Sequence, residues 1–190
     1  MALRVAAVVA LAAAIAAPFP GRAQTQTAPA RAPAFSAKSL TAPPTDAWLT
    51  NGGNIYNQRY SPLARINRGN VAQLKPRWRT HLNGSGLEAK FSGQAQPIVY
   101  DGVIYVATGA NDVFALDVDS GKMLWTYEAH LDPSITVICC GWMSRGVAIA
   151  DGKIFTGQLD GKLVALDQVT GKVVWQTQAE KNSDGFSITT

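Results

Sequence analysis

Both cysteines of the 190-residue chain stand side by side, as Cys139 and Cys140. Adjacent Cα atoms across a trans peptide are ~3.8 Å apart, whereas disulfide-bonded cysteines usually have Cα atoms roughly 4.4 Å apart or more. A bond between these neighbours therefore closes a strained ring, and such strain is typically kept where function uses it. The alternative is a pair of reduced, buried thiols. A metal site is disfavoured because adjacent cysteines lack the usual ligand spacing.

The N-terminal residues indicate export. Arg4 precedes an apolar, Ala-rich run over residues 5–17, two prolines follow, and Gly21-Arg22-Ala23 offers small residues for a signal peptidase. Residues 1–23 are therefore predicted to be a signal peptide. The alternative is an uncleaved membrane anchor, but the run is shorter than the ~20 residues that a spanning helix needs. Export implies an oxidising compartment, in which cysteines can pair.

Charge and composition narrow the class of protein further. The net charge is +4, but residues 1–23 hold two arginines and no acid, so the remainder carries 15 − 13 = +2. This balance is too weak to indicate nucleic acid as a partner. Residues 24–45 are rich in Pro, Ala, Thr and Gln, which predicts a flexible linker. The folded domain is expected to span residues 46–190.

An internal repeat with a constant offset of 50 residues predicts the architecture. The matched segments are 101–105 with 151–155, 113–117 with 163–167, and 120–125 with 170–175. Each repeat contains short β-type runs and an Asp-x-x-Ser/Thr-Gly-Lys turn, where glycine supplies a positive φ. The predicted strands are 103–107, 113–116, 123–127, 154–157, 163–166 and 173–177. Four short strands per ~50 residues are typical of a β-propeller blade, so the fold class is all-β.

Tryptophans mark the ends of the repeats. Trp125 and Trp175 occupy equivalent positions. Residues 74–78 resemble the last strand of an earlier, degenerate unit, and Trp78 lies 47 residues before Trp125. These side chains are expected to pack between blades. Two full blades do not close a ring, since closed propellers have at least about four. Residues 188–190 resemble a strand without a cap, so the chain is expected to be a truncated product; the alternative is a two-blade domain that assembles with itself.

Three segments carry a resemblance to a known family. Residues 139–148, Cys-Cys-Gly-Trp-Met-Ser-Arg-Gly-Val-Ala, resemble the cofactor-site segment of alcohol dehydrogenases that depend on pyrroloquinoline quinone (PQQ). Residues 48–54 and 57–62 are similar to the N-terminal segment of that family. The Ala-Leu-Asp…Gly-Lys…Trp units resemble its tryptophan-docking repeats. The likeness runs from about Trp48 to Thr190. The family has eight blades and roughly three times this length, so about two to three blades are expected here.

The resemblance implies roles for five residues. Cys139 and Cys140 would form a disulfide platform against one face of PQQ, and Arg145 would hydrogen-bond the reactive quinone oxygens. Thr189 matches a threonine that contacts a PQQ carboxylate. The family often has glutamate in a Glu-x-x-Pro segment at the cofactor rim, where this chain has Gln94-Ala-Gln-Pro97. Gln94 can donate and accept hydrogen bonds but carries no charge.

The resemblance also implies a reaction. In the family, alcohol oxidation passes hydride to the quinone while Ca²⁺ acts as a Lewis acid, and Arg145 would be the catalytic electrostatic donor. The calcium ligands, the aspartate base and a stacking tryptophan are expected beyond residue 190, as is a haem c domain in some members. We expect a periplasmic enzyme, in some cases associated with the inner membrane. It would oxidise small alcohols or aldehydes and pass electrons to cytochrome c or a membrane quinone, and the fragment alone would be inactive. Two alternatives are a non-catalytic periplasmic propeller scaffold and a non-functional remnant.

Overall fold

Two four-stranded antiparallel sheets form the centre of the molecule. A computed structural model describes residues 28–86, 92–136, 138 and 141–189 of the chain. In each sheet the strands lie in sequence order, as in a propeller blade. The first blade contains β1 (Ile98–Tyr100), β2 (Val103–Ala107), β3 (Val113–Asp117) and β4 (Met123–Tyr127). The second contains β5 (Ala148–Ala150), β6 (Lys153–Gly157), β7 (Lys162–Asp167) and β8 (Val173–Gln178).

Helical structure in the described residues is confined to three short segments. These are α1 (Ala37–Thr41) and two 3₁₀ turns, Val71–Gln73 and Asn182–Asp184. Ser36 caps α1, because its hydroxyl accepts a hydrogen bond from Ser39 N at 3.2 Å. Within the described ranges, no helix is long and apolar enough to cross a membrane.

The sequence repeat is reproduced in the strand register. Val103 pairs with Asp117 in the first blade, and Lys153 pairs with Asp167 in the second. Both blades have an irregularity at the same place in the third strand, between Ala115 and Leu116 and between Ala165 and Leu166. The all-β blade architecture predicted from the repeat is therefore confirmed.

The predicted turn chemistry is also confirmed. Gly121 and Gly171 have φ values of 69° and 70°, a region in which a side chain costs energy. In the first turn, Asp117 Oδ1 accepts hydrogen bonds from Ser120 N at 2.8 Å and Ser120 Oγ at 2.6 Å. The acidic residue therefore stabilises the turn that the glycine makes possible.

Two expected strands are absent from the described residues. Residues 74–78 are irregular, although Trp78 still docks on the first blade by donating its Nε1–H to Val118 O at 3.0 Å. Ile188 and Thr189 are irregular as well. Ile188 N bonds to Gln158 O, and Thr189 O accepts a hydrogen bond from Arg145 N. Both segments thus bond to loops instead of pairing with a strand in a ladder.

The N-terminal segment differs from the expected linker. Residues 28–35, here called the N-terminal strap, lie across both blades. Ala32 is 2% exposed; its N–H donates to Gln168 Oε1 at 2.7 Å, and its carbonyl accepts from Gly152 N at 2.7 Å. Arg31 pairs with Asp167 at 2.7 Å. Composition predicted flexibility over residues 24–45. In the structure, the Gln168 side-chain amide and the N–H groups of Asp151 and Gly152 bond to the strap's backbone and hold it in place.

The core lies between the two sheets. It is built from apolar side chains on alternating strand positions, including Tyr105, Trp125, Ile154, Val164 and Leu166. The Tyr105 and Trp125 rings are 6.0 Å apart. Burial raises the pKa of the Tyr105 hydroxyl above its usual value, and a hydrogen bond from Gln168 partly offsets this effect. The hydroxyl therefore stays protonated and neutral in the core.

Candidate functional site

Arg145 and Thr189 are in direct contact. Arg145 Nη1 donates to Thr189 Oγ1 at 2.6 Å and to Thr189 O at 3.4 Å. The backbone N–H of Arg145 also donates to Thr189 O, at 3.0 Å. Arg145 remains exposed, and a guanidinium has five N–H donors, of which these side-chain contacts involve one nitrogen. The pair therefore presents a cation and a hydroxyl side by side.

The backbone around Arg145 is held by the start of the first blade. Gln96 N donates to Arg145 O at 3.0 Å, and Gln96 forms a parallel bridge with Gly146. Trp142 and Val147, on either side, are 4% and 6% exposed. Arg145 is thus an exposed side chain on a buried, hydrogen-bonded backbone, which is how a rigid binding group is built.

Gln94 lies on the segment that runs beside Arg145. Ser92 N donates to Trp142 O at 3.0 Å, and Gln96 N donates to Arg145 O. Gln94 lies between these two anchor points. Its exposed side chain donates from Nε2 to Ser92 Oγ at 3.2 Å. The structure therefore brings the segment of Gln94 together with Arg145 and Thr189.

The two cysteines lie outside the described residues, so their predicted disulfide stays a prediction. The chain next to them is well anchored. Trp142 is buried, and its Nε1–H donates to Ile135 O at 2.9 Å. This bond joins residues that lie on either side of Cys139 and Cys140 in the sequence.

The site has the electrostatics of an anion-binding surface. A guanidinium stays charged at any relevant pH, and no carboxylate in the described part of the chain forms an ion pair with Arg145. Gln94 adds a neutral amide where a glutamate would add negative charge. An exposed, unneutralised cation favours an anionic ligand.

No metal centre accompanies this surface in the described part of the chain. No group of three His, Cys, Asp or Glu side chains converges there to hold an ion. The calcium ligands were expected beyond residue 190, so that expectation also stays a prediction.

Comparison with known proteins decides the family. The family model for the β-propeller domain of glucose, ethanol and alcohol dehydrogenases that use PQQ matches residues 48–185. The chain belongs to this PQQ β-propeller family. The resemblance stated from residues 139–148 is therefore confirmed.

The similarity to individual members is substantial. The quinoprotein alcohol dehydrogenase PedH of Pseudomonas putida is 44% identical over 140 residues, covering 74% of this chain and 23% of the relative. The 1-butanol dehydrogenase (quinone) of Thauera butanivorans is 43% identical over 141 residues, covering 74% of this chain and 22% of the relative. The structure of the quinohemoprotein alcohol dehydrogenase ADHIIG from Pseudomonas putida superimposes with a TM-score of 0.74 at 33% identity, covering 84% of this chain and 23% of that chain. The chain thus spans less than a quarter of the length of these relatives.

The residues present fit PQQ. PQQ is an anionic quinone with several carboxylates, and its recognition requires hydrogen-bond donors and positive charge. Arg145 supplies an accessible, unneutralised fork, Thr189 supplies a hydroxyl, and Gln94 supplies an amide. None of these three side chains adds negative charge against the ligand.

Two residues of the site were not found from the sequence. Gln96 and Asn51 both bond to Arg145 O, at 3.0 and 3.3 Å. Asn51 lies 94 residues before Arg145, and no periodicity links positions so far apart. The only available signal was that Asn51 falls in the N-terminal segment that resembles the family.

Proposed function

We propose that this chain supplies part of the PQQ site of an alcohol dehydrogenase. The observation that carries the proposal is the exposed Arg145, held at its backbone and beside the Thr189 hydroxyl within the family's cofactor-site segment. The membership of the chain in the PQQ propeller family supports the same function.

In this proposal, the chain's own residues bind PQQ and orient it. Arg145 donates hydrogen bonds to quinone oxygens, and these bonds strengthen as negative charge grows there. Thr189 fixes the guanidinium and donates its hydroxyl to a carboxylate. Cys139 and Cys140 form a disulfide that lies flat against one face of PQQ. Gln94 lies at the rim of the cofactor site and adds no charge there. PQQ, when bound, supplies the electron-accepting quinone, and Ca²⁺ supplies Lewis acidity from ligands further along the protein.

Substrate, acceptor and location complete the proposal. The substrate is a small alcohol or aldehyde, in keeping with the relatives named alcohol and 1-butanol dehydrogenases. Electrons pass to a membrane quinone or cytochrome c, and a haem c domain is compatible with the quinohemoprotein relative. The signal peptide predicted from the sequence supports a periplasmic location. The 190-residue chain alone is inactive, because the base and calcium ligands lie elsewhere.

The test is reconstitution of the full-length protein encoded by the gene. The apo-protein is titrated with PQQ in the presence of Ca²⁺, and reduction of an artificial electron acceptor is followed with a series of primary alcohols. We expect saturable PQQ binding and turnover that requires both PQQ and alcohol. Apo-protein without PQQ is the control. A full-length protein that binds no PQQ would refute the proposal.

A further inference from the structure

The Asn51 side chain reaches from the N-terminal segment to the backbone of Arg145. Its Nδ2 donates to Arg145 O at 3.3 Å, and the same carbonyl accepts from Gln96 N at 3.0 Å. With the Arg145 N–H bonded to Thr189 O, both polar backbone atoms of Arg145 are occupied. Three separate segments thus fix one residue.

Gly146 provides the space that this contact needs. A Cβ at position 146 would lie 2.8 Å from Asn51 Oδ1 and 2.8 Å from Gln96 O. The φ of Gly146 is +144°, which side chains rarely adopt. Glycine is therefore required for Asn51 to pack against the backbone next to Arg145.

Asn51 is itself held in place. The side-chain amide of Gln96 makes two hydrogen bonds when its nitrogen donates to the Asn51 backbone carbonyl and its oxygen accepts from Arg59 Nη2 at 3.2 Å. Asn51 Oδ1, in contrast, is buried and has no partner among the described residues. An unpartnered buried oxygen is unfavourable, so the favourable contact of this amide is the one made by its donor, which points at Arg145 O.

We propose that Asn51 is a positioning residue for Arg145. Its N–H donor holds the Arg145 carbonyl and thereby sets the direction in which the guanidinium leaves the backbone. The inference rests on the proposed function in one respect: the group that Arg145 must reach is the quinone. A small displacement of the Arg145 donor would lower turnover more than PQQ affinity, since the donor's stabilising effect is greatest in the transition state.

The test uses two substitutions of Asn51 and a matched control. Asn51→Asp keeps the shape but replaces the donor with an acceptor, and Asn51→Ala removes the donor without adding charge. Asn70→Asp is the control, because Asn70 Nδ2 also donates to a backbone carbonyl, Arg65 O at 2.7 Å, on the same N-terminal side of the chain. If Asn51→Asp does not fold, Asn51→Ala carries the test.

Two readouts are measured on the full-length protein. The first is hydrogen exchange of the Gln96 and Arg145 backbone amides in the apo-protein, which needs no cofactor. We expect exchange to rise about five- to tenfold in both Asn51 variants, as for one lost hydrogen bond, and not in Asn70→Asp. The second is turnover against PQQ affinity. We expect turnover to fall on the order of tenfold and PQQ affinity to fall less than about threefold.

The outcomes separate the two proposals. Unchanged amide exchange in the Asn51 variants, or exchange that rises without any loss of turnover, overturns the positioning role. An equal loss in Asn70→Asp also overturns it, because the effect would then be general destabilisation. A wild-type protein that binds no PQQ refutes the proposed function instead, and the exchange data still report whether Asn51 holds Arg145.

Discussion

The indole of Trp125 lies against Gly171 of the following blade and donates its Nε1–H to Gln168 O at 3.1 Å. A Cβ at position 171 would lie 2.5 Å from Cε3 of this ring. One blade earlier, Trp78 makes the same approach to Gly121, where a Cβ would also collide with the indole. The blades therefore dock through one tryptophan–glycine contact that is used twice.

Gly171→Ala is expected to weaken this docking. The substitution costs about 1–2 kcal/mol for a side chain in the left-handed region and about 1–3 kcal/mol more for the collision with Trp125. Gly185→Ala is the matched control, because its φ is +91° and no atom lies within 4 Å of the added Cβ. Denaturant unfolding measures both. Equal losses in the free energy of unfolding at the two positions would show that the contact with the Trp125 ring contributes nothing to stability.

Trp125 and Trp175 should differ in their effect on stability. Trp125 is 9% exposed, whereas its repeat equivalent, Trp175, is 40% exposed. We expect Trp125→Ala to lower the free energy of unfolding by about 3–5 kcal/mol, and Trp175→Ala to lower it by less than half of that. Equal losses in chemical unfolding would contradict the difference in burial.

The uncovered second blade should also self-associate. All residues of β8 are exposed, including Val173, Val174 and Trp175. We expect the isolated chain to associate with increasing concentration, because exposed apolar sheet surfaces and edges pair with other chains. Light scattering after size exclusion is the measurement, and Trp175→Ala should reduce association. A stable monomer with a sharp cooperative transition would be evidence against it.

The 50-residue repeat is what made the strands of the two blades predictable from the sequence. Four of the six predicted strands gained one residue at one or both ends, and 103–107 and 123–127 were reproduced as predicted. β1 and β5 were not individually predicted because three residues are too few for a periodic signal. The strap was missed for a different reason: its Pro-rich composition predicts a linker, and only distant partners such as Gln168 order it. Contacts such as Asn51 to Arg145 are likewise set by tertiary structure.

Gln168→Val should release the N-terminal strap. Gln168 is fully buried and bonds to Ala32 N and Ala30 O, whereas the repeat-equivalent residue of the first blade is Val118. Valine removes both bonds, so trypsin should cleave after the exposed Arg31 on the order of tenfold faster. Mass spectrometry of timed digests gives the rate. Gln178→Val is the same change on an exposed strand and should leave the cleavage rate after Arg31 unaltered. An unchanged rate in Gln168→Val would mean that the other strap contacts are enough to hold the strap in place.

Arg145→Lys tests the geometry of the cation in the full-length protein. Lysine keeps the charge but loses the two-pronged donor. We expect turnover to fall on the order of 100-fold, as when one preorganised donor is removed, and PQQ affinity to fall much less. Alcohol oxidation and PQQ titration are measured side by side. Weakened binding with normal turnover would show that Arg145 only anchors the cofactor.

The strap has a consequence for the order in which the molecule matures. Its hydrogen bonds join residues 136 and 138 positions apart in the chain, from Ala32 and Ala30 to Gln168. A polypeptide that is synthesised from its N-terminus cannot make these bonds until Gln168 has also been synthesised. Until then the Ala30 carbonyl and the Ala32 N–H lack their partner in the second blade. The strap is therefore the first described segment to be synthesised, but it can make these contacts only after the second blade has formed.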